Sequence, residues 1–187
     1  MSAFFPALRD DHIAMIGDQS IFFVGTAPMA ADGRVNVSPK GYDTFRVIDP
    51  STVAYLDLTG SGAETAAHLA ENGRITAMVC SFGPKPLILR MYGRGETVLV
   101  GEAGYAELAA RFDDLPGARA VVVIHIDEVQ TSCGYAVPRM DVVEERPRLI
   151  DWAAAKNADE LDAYRVIKNS TSIDGLPSLG EHFEHRS

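Results

Sequence analysis

Two clusters of small polar residues with a charge nearby carry the chemistry this chain could do. The first is Ser38-Pro39-Lys40-Gly41; the second is Thr59-Gly60-Ser61-Gly62-Ala63-Glu64-Thr65. Each follows a strand-like segment, and the second runs directly into a helical pattern. A strand, a Gly/Ser/Thr turn and a helix start together favour an anion, because free backbone N–H groups and the helix dipole point the same way. The chemistry implied is recognition of a phosphorylated small molecule. The same residues also read as a plain helix cap, Ser or Thr followed by Glu. Lys40 equally reads as an exposed turn lysine.

Other reactive side chains form no recognisable set. There is no Ser-His-Asp pattern, no Walker loop and no GxGxxG after a strand. Cys80 and Cys133 lack metal-ligand spacing and read as buried small apolar residues. His125 lies in VVVIHIDEV and reads as a satisfied structural histidine, and His68 as an exposed helix residue. His182 and His185, in the run HFEH, are weak grounds for a metal site, so none is expected. Arg90 interrupts the apolar run LILRMY and needs a partner carboxylate, an interface or a cofactor.

The elements that must position these residues follow from periodicity. Strands are expected at Ile21–Val24, Arg34–Ser38, Thr52–Leu58, Arg74–Ser81, Leu87–Val100 and Arg119–Val129, the first two joined as a hairpin at Asp32-Gly33. Gly93 and Gly95 suggest a bulge in the fifth. Helices are expected around Asp10–Ile16, Ala63–Glu71, Glu102–Phe112 and Asp151–Ile167, with Asn72-Gly73 closing the second. Trp152 and Tyr164 read as docking anchors. From about residue 140 a C-terminal helix and a turn-rich tail complete one domain spanning 1–187. Most gaps between strands are too short for crossover helices, so the fold class is mainly β with flanking helices, a six-stranded antiparallel barrel.

The 187 residues suffice to bury a core unaided. A net charge of −9 argues against nucleic acid or an anionic membrane as partner. Without a secretory signal or long apolar run, the expected location is cytoplasmic.

The order of motifs resembles the pyridoxamine 5'-phosphate oxidase-related superfamily of FMN-binding split barrels. The motifs are IFFVGTAP (Ile21–Pro28), VNVSPKG (Val35–Gly41), VAYLDLTGSG (Val53–Gly62), ENGRIT (Glu71–Thr76), ILRMYGRG (Ile88–Gly95), TSCGY (Thr131–Tyr135) and SIDGLP (Ser172–Pro177). The resemblance implies a homodimer with FMN at the interface. It implies phosphate contacts from Ser61, Gly62, Glu64 and Thr65, and the flavin ring beside Val37, Ser38 and Lys40. Asp57, Leu58 and Thr59 would flank the cofactor, and Arg90 of a second subunit would close the site. A small-molecule redox partner is implied, and a deazaflavin is an alternative to FMN. No catalytic acid or base is identified. Alternatives are a flavin-holding module without turnover and haem handling through His125, His68 or the tail histidines.

The chain also departs from the true oxidases. Their C-terminal motif W-x-G-F/Y-R-I/V-x-P corresponds here to SCGYAVP, with Ser132 for Trp and Ala136 for Arg. Glu64 and Thr65 stand where the oxidases use cations. Loss of a guanidinium fork is not replaced by a small side chain, so turnover of pyridoxamine 5'-phosphate is not expected.

Overall fold

A computed structural model describes residues 2–184 and 186. Strand β1 (Ala3–Phe5) precedes helix α1 (Asp10–Gly17); β2 (Phe22–Thr26) and β3 (Asn36–Lys40) form the expected hairpin; β4 (Phe45–Asp49) and β5 (Thr52–Leu58) form a second. Helix α2 (Glu64–Asn72) leads into β6 (Arg74–Cys80) and β7 (Ile88–Leu99). Then come α3 (Tyr105–Ala109), β8 (Ala118–Ser132), α4 (Arg148–Ala154), α5 (Ala158–Asn169) and α6 (Gly180–Glu184). The strands make one antiparallel sheet in the order β3-β2-β6-β7-β8-β5-β4, with β1 added to β8.

All six expected strands form, but the described residues hold eight. Two short segments lacked a signal: β1 is three residues long, and β4 (FRVID) carries Arg46 as its second residue and ends on Asp49. The hydrogen-bonded path has β3 and β4 as its ends, so it is an open sheet rather than a closed barrel. The expected single helix over Asp151–Ile167 is two. Asn157 restarts it by accepting from the N–H of Glu160, while Glu160 returns a bond to the N–H of Asn157. Such a capping box satisfies donors that a continuous helix would not leave free. Trp152 and Tyr164 pack edge-to-face across this break, 4.8 Å between centroids.

Alternation sorts the sheet into an inner and an outer face. Val24, Val53, Tyr55, Ile75, Val79, Leu89, Met91, Val122 and Ile124 fill the main core. Full burial of a Leu or Met side chain contributes about 2 kcal/mol. Ala54, Leu56, Val121 and Val123 point the other way and pack against Phe112 and the residues around α3. The register of β7 on β8 shifts between Tyr92 and Gly93, where a bulge was expected. A Cβ on Gly93 would stand 2.0 Å from the carbonyl oxygen of His125, so only glycine fits.

Three side-chain expectations are corrected. The side chain of His125 is 63% exposed, on the outer face of β8 with Nε2 4.0 Å from Glu96 Oε1. His68 is buried, because it lies on the face of α2 that packs on the sheet. Cys80 is buried as expected, but Cys133 is exposed beyond the end of β8. Among the described residues no helix is long and apolar enough to cross a membrane. Among the described residues no group of three or more His, Cys, Asp or Glu is placed to hold a metal; His185 lies outside them.

Candidate functional site

A cavity of about 320 Å³ opens where the main core ends, between β3, the end of β5 and the start of α2. Its size is at the lower end of small-molecule pockets. Each wall follows from local periodicity. On β3 the half-buried Asn36, Ser38 and Lys40 line it, while Val37 faces outward and is 67% exposed. On β5, Tyr55 and Asp57 share the inner face.

Asp57 is the electrostatic centre. Lys40 Nζ donates to its Oδ1 at 2.9 Å, and Arg119 Nε donates to its Oδ2 at 2.7 Å. Burial pushes the carboxyl pKa up. The charges of Arg119 and Lys40, with the bonds they donate, outweigh burial and bring it from 3.8 to about 2. Asp57 is therefore a fixed anion at neutral pH and no general base. Arg119 reaches it through an irregularity in the β5–β8 ladder: Asp57 pairs with Ala120 and Leu58 with Ala118, leaving Arg119 unpaired between them. A bulge of this kind re-aims a side chain. The guanidinium also donates to Asn169 Oδ1 at 2.8 Å and to the carbonyl of Gly62 at 2.9 Å, which commits three of its five N–H groups inside the protein. Lys40 uses one of three ammonium donors on Asp57 and keeps the rest for the cavity.

The turn before α2 is held from behind by α5. Asn169 Nδ2 donates to the carbonyl of Gly60 at 3.0 Å. Thr59 Oγ1 donates to the carbonyl of Gly117 at 2.7 Å and accepts from Arg165 Nε at 2.9 Å. Arg165 is itself paired with Asp162 at 2.7 Å; burial lowers its pKa, against that pairing. Helix α2 is preceded by Ala63, whose side chain supplies no cap, and its first-turn N–H groups have no intrahelical acceptor. Glu64 accepts from the N–H of Ile173 at 3.1 Å, and Ser178 Oγ donates to the carbonyl of Ala63. The SIDGLP turn is thereby strapped to the helix start. Arg34 holds the same turn through Asp174.

Two buried polar atoms on the lining residues, Tyr55 Oη and Thr97 Oγ1, have no hydrogen-bond partner. Burial, then the charge of Asp57, raises the Tyr55 pKa well above 10.0, against pulls from Arg119 and the nearby Thr65 hydroxyl. Tyr55 thus stays a protonated phenol with an unspent donor. Orphaned groups on a cavity wall are the usual mark of a polar ligand or water site.

Of the residues singled out from sequence, Ser38, Lys40, Asp57, Leu58, Gly62, Glu64 and Thr65 line this one cavity. Thr59 lies just behind it, and Ser61 is exposed beside it. Val37 is on the outer face. Arg90 is elsewhere on β7, donating to Ser132 Oγ at 3.2 Å. Sequence reading missed Arg119, Tyr55, Asn36 and Asn169. Arg119 had one legible signal, a cation opening the apolar strand ARAVVVI.

These residues fit a flavin. A flat ring with a polar edge would meet the Tyr55 and Thr97 hydroxyls, and an anionic tail would meet Lys40, Thr65 and the uncapped start of α2. The fit is to dipoles, the Lys40 ammonium and the N–H groups that Arg119 does not spend on Asp57, Asn169 and Gly62, while Glu64 is turned to the tail.

The family pattern described as pyridoxamine 5'-phosphate oxidase matches residues 8–133. The chain is 42% identical over 197 residues to the pyridoxamine 5'-phosphate oxidase family protein ustO of Aspergillus flavus, covering 96% of this chain and 78% of that protein. Among solved structures, HupZ of Group A Streptococcus is similar, with a TM-score of 0.52 and 23% identity over 65% of this chain and 91% of its own. So is a candidate pyridoxamine 5'-phosphate oxidase of Lactobacillus delbrueckii, with a TM-score of 0.53 and 20% identity over 67% and 94%. At these identities the structural likeness speaks to fold alone.

Proposed function

Because the chain belongs to the pyridoxamine 5'-phosphate oxidase family, we propose that its cavity binds a flavin, FMN, and that the protein works as a flavin-dependent oxidoreductase. The observation that carries this is the cavity wall: the orphaned Tyr55 and Thr97 hydroxyls, the partly unspent Lys40 and the uncapped start of α2 face one space. Bound flavin would supply the hydride acceptor. The chain's own part is to bind and orient. Lys40 places a cation, Tyr55 offers a hydroxyl donor, and the α5 contacts hold the turn at Thr59–Gly62. Asp57 keeps Lys40 in place and moves no proton, because Arg119 and Lys40 hold it ionised.

The reading extends to a homodimer in the cytoplasm, arranged as the family's split barrel, with a second subunit over the exposed Val35 and Val37 of the β3 region. Pyridoxamine 5'-phosphate itself is not the proposed substrate, since Ala136 stands in place of the oxidases' arginine. One observation favours a second reading, a flavin holder without turnover: of the two carboxylates lining the cavity, Asp57 is locked in an ion triad and Glu64 accepts from the Ile173 N–H, leaving no evident base.

Titration decides between these readings. The proposal expects FMN fluorescence to be quenched on binding and the unfolding temperature to rise. Oxidation of NADH or NADPH under saturating FMN separates the oxidoreductase from the holder. Unquenched flavin with unchanged thermal stability would remove both.

A further inference from the structure

The hairpin of residues 170–178 lies beyond the segment that the family pattern matches, yet it is tied to both walls of the cavity. It is braced internally. The Ser178 N–H donates to the carbonyl of Ser170 at 2.9 Å, the Ser172 N–H to that of Leu176 at 2.9 Å and the Gly175 N–H to that of Ser172 at 3.0 Å. Thr171 and Pro177 form a bridge, and Gly175 takes the left-handed conformation, φ +81°, that closes the tip.

The tip holds the two walls. The Asp174 carboxylate accepts from the Arg34 N–H at 2.6 Å and pairs with the Arg34 guanidinium, two residues before β3. The Ile173 N–H donates to Glu64, the first residue of α2, at 3.1 Å. Strand β3 ends the sheet and is paired on one side, to β2. Across the gap between β3 and α2 the Asn36 amide reaches the Thr65 hydroxyl at 3.1 Å, so the hairpin is the outer of two closures. Its base is held differently. Leu179 and Phe183 share a buried apolar cluster with Ala63 and Ala66, and Ser178 Oγ donates to the carbonyl of Ala63 at 3.0 Å. The tip contacts to Arg34 and Glu64 are polar and exposed. Exposed ion pairs are weak, and segments held by few buried contacts open far below global unfolding.

We propose that this hairpin is a clasp between β3 and α2, and that its opening sets the rate at which flavin enters and leaves the cavity. The tip lets go of β3 while the buried base stays docked. Arg34, Asp174 and Ile173 are positioning residues, since none of them lines the cavity. This rests on the flavin reading and deepens it by making the cofactor exchangeable through a gate. A gate that opens whether or not the site is filled multiplies association and dissociation by one factor and leaves affinity nearly unchanged. Loss of a ligand contact behaves otherwise: dissociation rises and affinity weakens in step.

The test follows FMN fluorescence by stopped flow with the full chain, association on mixing and dissociation on dilution of the complex. Asp174→Ala removes both bonds to Arg34, whereas Arg34→Ala keeps the backbone N–H. The expected result is that Asp174→Ala raises both rate constants about fivefold or more, with Kd within about twofold of wild type. Arg34→Ala should raise both by less, about twofold. Retained affinity shows that each variant is folded. Unchanged rates in Asp174→Ala, or faster dissociation matched by an equal loss of affinity, overturns the proposal while leaving the flavin reading intact. If FMN does not bind the wild type, the clasp and the flavin reading fall together.

Discussion

Replacing Asp57 with asparagine keeps the shape of the side chain and removes the charge between Lys40 and Arg119. The magnitude follows from the surroundings. Arg119 is 4% exposed and retains only neutral acceptors, Asn169 and the Gly62 carbonyl. Removing one partner of a buried pair costs about 3–5 kcal/mol. An independent bound comes from linkage. A carboxyl brought from 3.8 to about 2 contributes stability that is complete above the unfolded value. At about 1.4 kcal/mol per pKa unit this is about 2 to 3 kcal/mol, lost as the pH falls through 2. Urea unfolding at pH 7 should therefore show Asp57→Asn destabilised by about 3 kcal/mol with an unchanged denaturant slope. Between pH 4 and 2 the wild type should lose stability that the variant no longer has to lose. Converting both partners, Asp57→Asn with Arg119→Met, should recover part of the loss, since no buried charge is then stranded. A loss below about 1 kcal/mol in Asp57→Asn, or the same acid dependence in both proteins, would refute the triad as the electrostatic centre.

Asn169→Ala removes the tie between α5 and both Arg119 and Gly60; it should cost about 1–3 kcal/mol by thermal unfolding and weaken FMN binding, although Asn169 does not line the cavity. Gly93→Ala forces a Cβ against the His125 carbonyl and should cost about 3 kcal/mol or abolish soluble expression. Asn157→Ala breaks the capping box of α5 and should lower stability by about 1 kcal/mol in urea with little change in FMN affinity.

What the sequence made legible was whatever depends on local periodicity. The β2–β3 hairpin, β5, α2 with its left-handed Gly73 end, and the bulge at Gly93 follow from alternation, turn dipeptides and glycine placement. Ser38, Lys40, Asp57 and Thr65 were legible because they lie on segments with strong patterns. Strands β1 and β4 were not, being short and, in β4, carrying two charges, Arg46 and Asp49. The break at Asn157 was overridden by the apolar spacing around it. Arg119 and Asn169 enter the site through a ladder irregularity and through the docking of a helix 50 residues away. His68 was read as exposed because its helix face is decided by contact with β2, which no local pattern encodes. The motif order carried the family more securely than any one residue carried a role.

The central claim is that the space between β3, Asp57 and the start of α2 holds a flavin. Backbone amide shifts of the ¹⁵N-labelled protein under saturating FMN test it most directly. The account predicts the largest changes at Gly62–Ala66 and Ser38–Lys40, with the β7–β8 outer face around His125 unmoved. Changes confined to that outer face, or none at saturation, would contradict it.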